Sequence, residues 1–198
     1  MGGMGQGEGD GELMRAERRE HDFYPTPGWA TRELLNRVDI SGNVLEPCVG
    51  AGDMALEIAA VAQVRTNDLN LNHQADSHED ATNKRWWNTL PQYDWVVTNP
   101  PFNVAHKILP HACEHARKGV AMLLRLTYLE PCEGRGLWLS ANPPHRLIVL
   151  PRISFTGDGY TDSVTCAWFV WQWESQRGVE VVMPREATPR LFSEAVNG

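Results

Sequence analysis

The chain has 198 residues, 42% of them hydrophobic and 22% charged, and a net charge of −7. That length is enough for one domain with a substantial core, and too little for a catalytic domain plus a large second one. The acidic balance argues against a protein that grips nucleic acid chiefly through its phosphates, since that mode calls for a broad basic surface. A localised basic strip is compatible with it.

Residues 1–20 begin with an acidic, glycine-rich stretch that cannot bury enough apolar area to offset its ordering entropy, so this tail is expected to be disordered. A single domain is expected over 21–183, followed by a C-terminal tail over 184–198. Thr26-Pro27 reads as a helix start, with threonine at the N-cap and proline at the first position, ahead of a stripe of Trp29, Leu34, Leu35 and Val38. A short buried strand at 44–45, a glycine-bearing turn at 46–53, an apolar helix at 54–62 and a strand at 64–67 ending at Asp68 make one βαβ unit. Polar residues 69–88 read as loop, anchored by Trp86-Trp87. The next strand is 94–98. Ala105, Ile108, Leu109, Ala112, Cys113 and Ala116 then recur at helical spacing, and Lys118-Gly119 reads as the close of that helix. Residues 120–126 form a central strand, 131–141 a helix, and 146–150 and 164–173 two more strands separated by a polar loop at 151–163. Repeated strand, helix, strand units predict a doubly wound α/β sheet, mostly parallel, with a late antiparallel strand.

Cys48, Cys113, Cys132 and Cys166 are far apart in sequence and form no C-x-x-C pair, so free thiols and no zinc site are expected. His73, His78, His106, His111 and His115 form no H-E-x-x-H pattern. His111 and His115 are four apart on a helix and read as polar-face residues rather than a metal pair. No run approaches the roughly 18 apolar residues of a membrane span, and residues 1–20 lack the apolar segment of a signal peptide, so the expectation is a soluble, cytoplasmic protein.

The residues that carry chemistry follow the strands. Asn99-Pro100-Pro101-Phe102 stands directly behind the apolar run Trp95-Val96-Val97. The Asn99 side-chain oxygen and the Pro100 carbonyl can converge on one planar –NH₂ group, holding its hydrogens and leaving the nitrogen lone pair available. Phe102 offers a face for the attached ring. That is the chemistry of adenine N-methylation. Gly50-Ala51-Gly52 after the first strand allows a ligand close to the backbone, though the third glycine of the dinucleotide fingerprint is absent. Asp68, closing the second strand, is placed to accept hydrogen bonds from ribose hydroxyls. Together these favour a nucleoside-type cofactor.

In one order and at suitable intervals, these motifs resemble those of S-adenosylmethionine-dependent DNA N6-adenine methyltransferases, most closely the small phage-borne ones. Phe23-Tyr24-Pro25-Thr26-Pro27 resembles the family's N-terminal cofactor motif, Glu46-Pro47-Cys48-Val49-Gly50-Ala51-Gly52 its glycine-rich motif, Asn67-Asp68 its ribose-binding acid, and Asn99-Pro100-Pro101-Phe102 its catalytic motif. The likeness covers roughly residues 22–173. It implies a Rossmann-like sheet, S-adenosylmethionine across the ends of the first strands, and direct methyl transfer to the adenine amine. Asp80 matches the place of an acid that contacts the cofactor's adenine, with Asp76 as its rival, and the loop 154–163 matches a target-base loop. The resemblance also implies a prokaryotic or phage-infected cell and protection of phage DNA from host restriction.

Larger family members carry a target-recognition domain, and no interval here has room for one, the stretches 69–88 and 126–146 being short. Recognition is therefore expected to be short or relaxed, to come from a dimer partner, or to use loops such as 135–145. The partner would be duplex or single-stranded DNA and the protein a monomer or homodimer. Arg125, Arg135, Arg146 and Arg152 are the candidate phosphate contacts. Methylation of adenine in RNA or of a glutamine amide in protein would use the same planar amine chemistry, and a non-catalytic cofactor-binding interaction module is a third reading. Phe102 and the motif at 23–27 lean towards DNA.

Overall fold

A computed structural model of the chain describes residues 25–153, 165–173 and 178–182. The tails, Phe23, Tyr24 and the loop 154–163 lie outside the described residues. The elements run α1 (Gly28–Leu35), β1 (Asn43–Glu46), α2 (Asp53–Ile58), β2 (Gln63–Thr66), α3 (Lys84–Trp87), β3 (Tyr93–Thr98), α4 (Ala105–His115), β4 (Ala116–Arg125), a 3₁₀ turn (Leu126–Leu129), α5 (Glu133–Ala141), β5 (Arg146–Val149), β6 (Cys166–Gln172) and β7 (Gly178–Val181).

The strands form one seven-stranded sheet in the order β2-β1-β3-β4-β6-β5-β7. The strands β2, β1, β3 and β4 are parallel neighbours, and β6 pairs antiparallel with both β4 and β5. The expected late antiparallel strand is therefore β6, inserted between β4 and β5. Because β7 is parallel to β5, β6 alone opposes the rest, and the C-terminal ends of β1, β2, β3, β4 and β5 share one edge of the sheet.

Sequence dictates the depth of each strand. Val-Ala-Met-Leu-Leu of β4 and Cys-Ala-Trp-Phe-Val-Trp of β6 are apolar at every position because both sheet faces are covered, and these residues are buried throughout. Alternation then divides them between two cores. Ala121, Leu123, Cys166, Trp168 and Val170 pack with α1 and α2 residues such as Leu34 and Ile58. Val120, Met122, Leu124, Phe169 and Trp171 pack with Ile108 and Leu109 of α4. Trp168 Nε1 donates to the Ala30 carbonyl at 2.8 Å, so this buried indole has its polar atom satisfied and ties α1 to the sheet.

Four expectations are corrected. Thr26 is not the N-cap of α1. Pro27 precedes the first helical residue, Gly28, and the Thr26 side chain is used elsewhere. The helix after the glycine turn ends at Ile58, short of residue 62. Ala116 fits the apolar stripe of α4 yet opens β4 opposite Tyr93, so Lys118-Gly119 lies inside a strand and closes no helix. A side chain at Gly119 would run into the Trp171 carbonyl and the Trp95 indole, which is why the position is bare. The edge strand β7 is the fourth difference, a four-residue strand whose valines, Val179 and Val181, are exposed.

Candidate active site

The sheet order reverses direction between β1 and β3, since the chain goes from β1 outward to β2 and from β3 outward to β4. A crevice opens at such a switch point outside the carboxyl ends of the strands. Here it is a cleft of about 1110 Å³, lined by residues after β1 (Glu46 to Ala51), after β2 (Asp68 to His73), from the following loop (Glu79 to Thr82), and after β3 (Asn99, Pro101, Asn103 and Val104). That volume is at the upper end for a small-molecule site and exceeds what one nucleoside needs.

The floor is the turn between β1 and α2. Gly50 and Gly52 adopt φ of 57° and 90°, in the left-handed region that a side chain resists. The Asp68 carboxylate accepts from the Gly50 N–H at 2.7 Å through Oδ2 and from the Asn70 N–H at 2.8 Å through Oδ1, with His73 Nδ1 3.2 Å from that same oxygen. Asp68 thus ties the end of β2 to the glycine turn. Its neighbour Asn67 is wholly buried and makes every bond an amide can make here. Its Nδ2 donates to the carbonyls of Pro47 and Glu79 at 3.0 and 2.9 Å, and its Oδ1 accepts from Ser77 Oγ and the Glu79 N–H, both at 2.9 Å. One side chain thus clamps the loop after β1 to the loop 77–79. No signal in the sequence distinguishes Asn67 in this role from Asn70 or Asn72.

The rival acids separate by position. Asp76 accepts from the Thr66 N–H and hydroxyl at 2.8 and 3.0 Å, covering the open edge of β2, and is not part of the cleft wall. Asp80 lines the cleft, where its Oδ1 accepts from the N–H and hydroxyl of Thr82, both at 2.8 Å. Trp87, fully buried, donates from Nε1 to the Ala81 carbonyl at 2.8 Å and so fixes the wall beside Asp80.

Glu46, the last residue of β1, is 1% exposed and lines the cleft. Its Oε2 has no hydrogen-bond partner among the described residues. Burial pushes its carboxyl well above 4.5, and the nearby Asp68 and Asp53 push it further. A buried, unsatisfied acid costs free energy unless a donor or cation meets it. Glu46, Asp53, Asp68, Glu79 and Asp80 all line the cleft, and among the described residues no lysine or arginine does. Cys48, also in the wall, is held up as a neutral thiol by burial, reinforced by Asp68.

At the other end of the cleft, β3 delivers the tetrapeptide Asn99 to Phe102. Asn99 Nδ2 donates to Thr26 Oγ1 at 3.0 Å, across 73 residues of sequence, which leaves Oδ1 as the acceptor end of the amide. The Pro101 carbonyl accepts from the N–H groups of Val104 and Ala105, turning the chain into α4, and no described backbone bond ends on the Pro100 carbonyl. Pro100 is buried, and neither it nor Phe102 nor Gly52 lines the cleft itself, whereas Thr26, Glu46, Pro47, Gly50, Asp68, Asp80, Asn99 and Pro101 do. Phe102 packs against both cores and carries the Arg125 guanidinium over its ring, 4.6 Å from the centroid.

The other arginines expected to meet phosphate divide. Arg135 donates to the Glu130 carbonyl at 3.1 Å and packs over Tyr128, and Arg146 donates to Glu180 and to the Arg37 carbonyl. Both are engaged in holding the fold. Arg152 is exposed just after β5. His111 and His115 pack beside Trp87, His115 Nδ1 lies 3.0 Å from the His111 carbonyl, and no group of metal-ligating side chains occurs among the described residues. No helix among them is long and apolar enough to cross a membrane.

No family model matches the chain, and no curated protein matches it. Its fold is similar to solved ones. The methyltransferase subunit of a type I restriction-modification system from Streptococcus thermophilus matches with a TM-score of 0.60 at 15% identity, over 80% of this chain and 47% of that one. The modification subunit of a putative type I restriction enzyme from Vibrio vulnificus matches at 0.61 and 13%, over 85% and 49%. A putative RNA methyltransferase from Pyrococcus horikoshii matches at 0.57 and 18%, over 77% and 87%. The chain spans about half the length of the two restriction-modification subunits. The likeness is one of fold: the chain shares the mostly parallel α/β sheet of these methyltransferases.

Proposed function

Starting from that fold, we propose that the chain transfers a methyl group from S-adenosylmethionine to the N6 amine of adenine in DNA. The observation that carries the reading is the Asn99 amide at the end of β3, turned by Thr26 so that its oxygen is the accepting end, beside a cleft walled by carboxylates.

The cleft fits S-adenosylmethionine on chemical grounds. The ligand carries an ammonium and a sulfonium and no phosphate, and a wall of Glu46, Asp53, Asp68, Glu79 and Asp80, with no lysine or arginine among its described residues, favours a cation and repels phosphates. Glu46 Oε2, buried and without a hydrogen-bond partner among the described residues, is suited to the ammonium. Gly50 and Gly52 keep the turn bare, with Pro47 shaping its start, Asp68 is suited to the ribose hydroxyls through its remaining lone pairs, and Asp80 with Ala81 to the adenine. Phe23 and Tyr24 complete the set by resemblance. When bound, S-adenosylmethionine supplies an electrophilic methyl group.

The chain's own residues then act on the amine. Adenine N6 is a poor nucleophile because its lone pair is delocalised into the ring, so orientation in a dry site matters more than a strong base. Asn99 Oδ1 and the Pro100 carbonyl accept the two N–H groups, holding the lone pair towards the cleft. Pro101 fixes the turn that sets their spacing, and Phe102 contributes an aromatic surface for the ring. In a duplex the base must be extruded, at a cost of a few kcal/mol that a single strand avoids. Sequence recognition is short or relaxed, because each base pair read in the major groove needs its own placed side chain.

Tritiated methyl transfer, run in parallel on duplex DNA, single-stranded DNA, RNA and protein, tests this directly. The expected product is N6-methyladenine in DNA hydrolysates. Label confined to RNA or to glutamine would replace the reading with one of those acceptors, and cofactor binding without transfer to any would favour an interaction module.

A further inference from the structure

Arg125 is the last residue of β4, on the sheet edge that carries the cleft, and its guanidinium lies over Phe102. The arginines Arg32, Arg37, Arg117 and Arg146 pair with Glu57, Glu33, Asp94 and Glu180 respectively, and Arg135 is held by backbone carbonyls. The Arg125 side chain makes no ion pair and no hydrogen bond among the described residues, so its contact with the Phe102 ring satisfies none of its five N–H donors. It is half-buried, within reach of the residue that follows the oriented amide of Asn99 by three positions.

Resting on the reading above, we propose that Arg125 is the anion contact for the acceptor nucleotide: its guanidinium takes the phosphate flanking the adenine whose ring meets Phe102. Guanidinium forks match phosphate oxygens bidentately, and they also stack on aromatic faces, so one side chain can hold both at once. The contact makes a phosphodiester part of substrate recognition. A nucleoside or a glutamine amide offers the same planar amine and no anion, leaving the Arg125 donors unmet.

The test compares single-stranded DNA oligonucleotides holding one adenine, with ordinary linkages or with an uncharged methylphosphonate at the phosphate 5′ or 3′ of that adenine, for the wild type, Arg125→Gln and Arg125→Lys. Wild type is expected to lose at least about tenfold in kcat/KM, mostly in KM, with one of the two neutral linkages, a loss of roughly 1.4 kcal/mol. Arg125→Gln is expected to show that loss already on the ordinary strand and to be indifferent to the neutral linkage, with Arg125→Lys between the two. S-adenosylmethionine binding and melting temperature should stay at wild-type values, since the residue is away from the cleft wall. Transfer to DNA that ignores both neutral linkages, or a linkage effect retained by Arg125→Gln, would overturn the contact while leaving the methyltransferase reading intact. Absence of transfer to any DNA adenine would instead overturn the reading itself.

Discussion

Two regions of one sheet edge are built on opposite electrostatic plans. After β1 and β2 the wall is acidic and cross-tied: Asp68 holds the Gly50 N–H, Asn67 clamps two loops, Thr82 occupies Asp80, and Oε2 of one buried acid, Glu46, has no hydrogen-bond partner among the described residues. After β3 and β4 the surface is aromatic and carries a guanidinium with no carboxylate partner among the described residues. On the proposed reading, the difference teaches how a chain of net charge −7 could serve a polyanion. A cationic, phosphate-free cofactor would be drawn to the first region, which repels nucleic acid, and the acceptor strand would be admitted at the second.

Three substitutions sharpen or break that division. The largest effect is expected for Asn99→Ala, which removes a preorganised acceptor at the reacting amine. Methyl transfer should fall by at least about a hundredfold, the scale on which losing one such contact is felt, while calorimetric cofactor affinity stays put. Turnover within threefold of wild type would remove Asn99 from the chemistry. Asp68→Ala comes next, because it loses both a ribose acceptor and the tie to Gly50. Cofactor affinity should drop by at least about tenfold, or roughly 1.4 kcal/mol, with the circular dichroism spectrum kept. Unchanged affinity would mean that the turn and ribose are held without it.

The smallest effect is the most diagnostic of the acidic region. Because burial raises the Glu46 carboxyl above 4.5, the native chain keeps a proton there that the unfolded chain has lost. Stability of the unliganded protein therefore declines as pH rises from 4.5 through the raised value. Glu46→Gln should remove that decline and raise the stability of the unliganded chain at pH 7, while weakening cofactor binding. Melting curves with and without cofactor across pH measure both. A variant less stable than wild type at pH 7 and binding the cofactor normally would show that the acid has no ligand to meet.

Much of the fold is legible because buried strands announce themselves. The runs within 93–98, 116–125 and 166–172 are apolar at nearly every position, as double-sided burial requires. Element ends are less legible: Ala116 suits a helix stripe and a strand equally, and Gly119 looks like a helix stop because sequence does not display the Trp171 backbone that excludes a side chain there. In the site, the turn residues read out locally, since Gly50, Gly52, Pro100 and Pro101 constrain only their own backbone. Partnerships do not. The bond from Asn99 to Thr26, the four bonds of Asn67 and the seating of Arg125 on Phe102 all join segments far apart in the chain. Thr26 is the instructive case: local rules make it a helix cap, and its hydroxyl serves the amide of Asn99 instead.

The most direct test of the division along this edge is to measure cofactor affinity by calorimetry and single-turnover methyl transfer at saturating cofactor on the same two proteins, Asn99→Ala and Asp68→Ala. The expected result is a double dissociation, with Asn99→Ala binding S-adenosylmethionine normally and failing to transfer, and Asp68→Ala binding weakly yet transferring within a few-fold of wild type once saturated. Loss of both properties together in either variant, or transfer by Asn99→Ala near the wild-type rate, would contradict it.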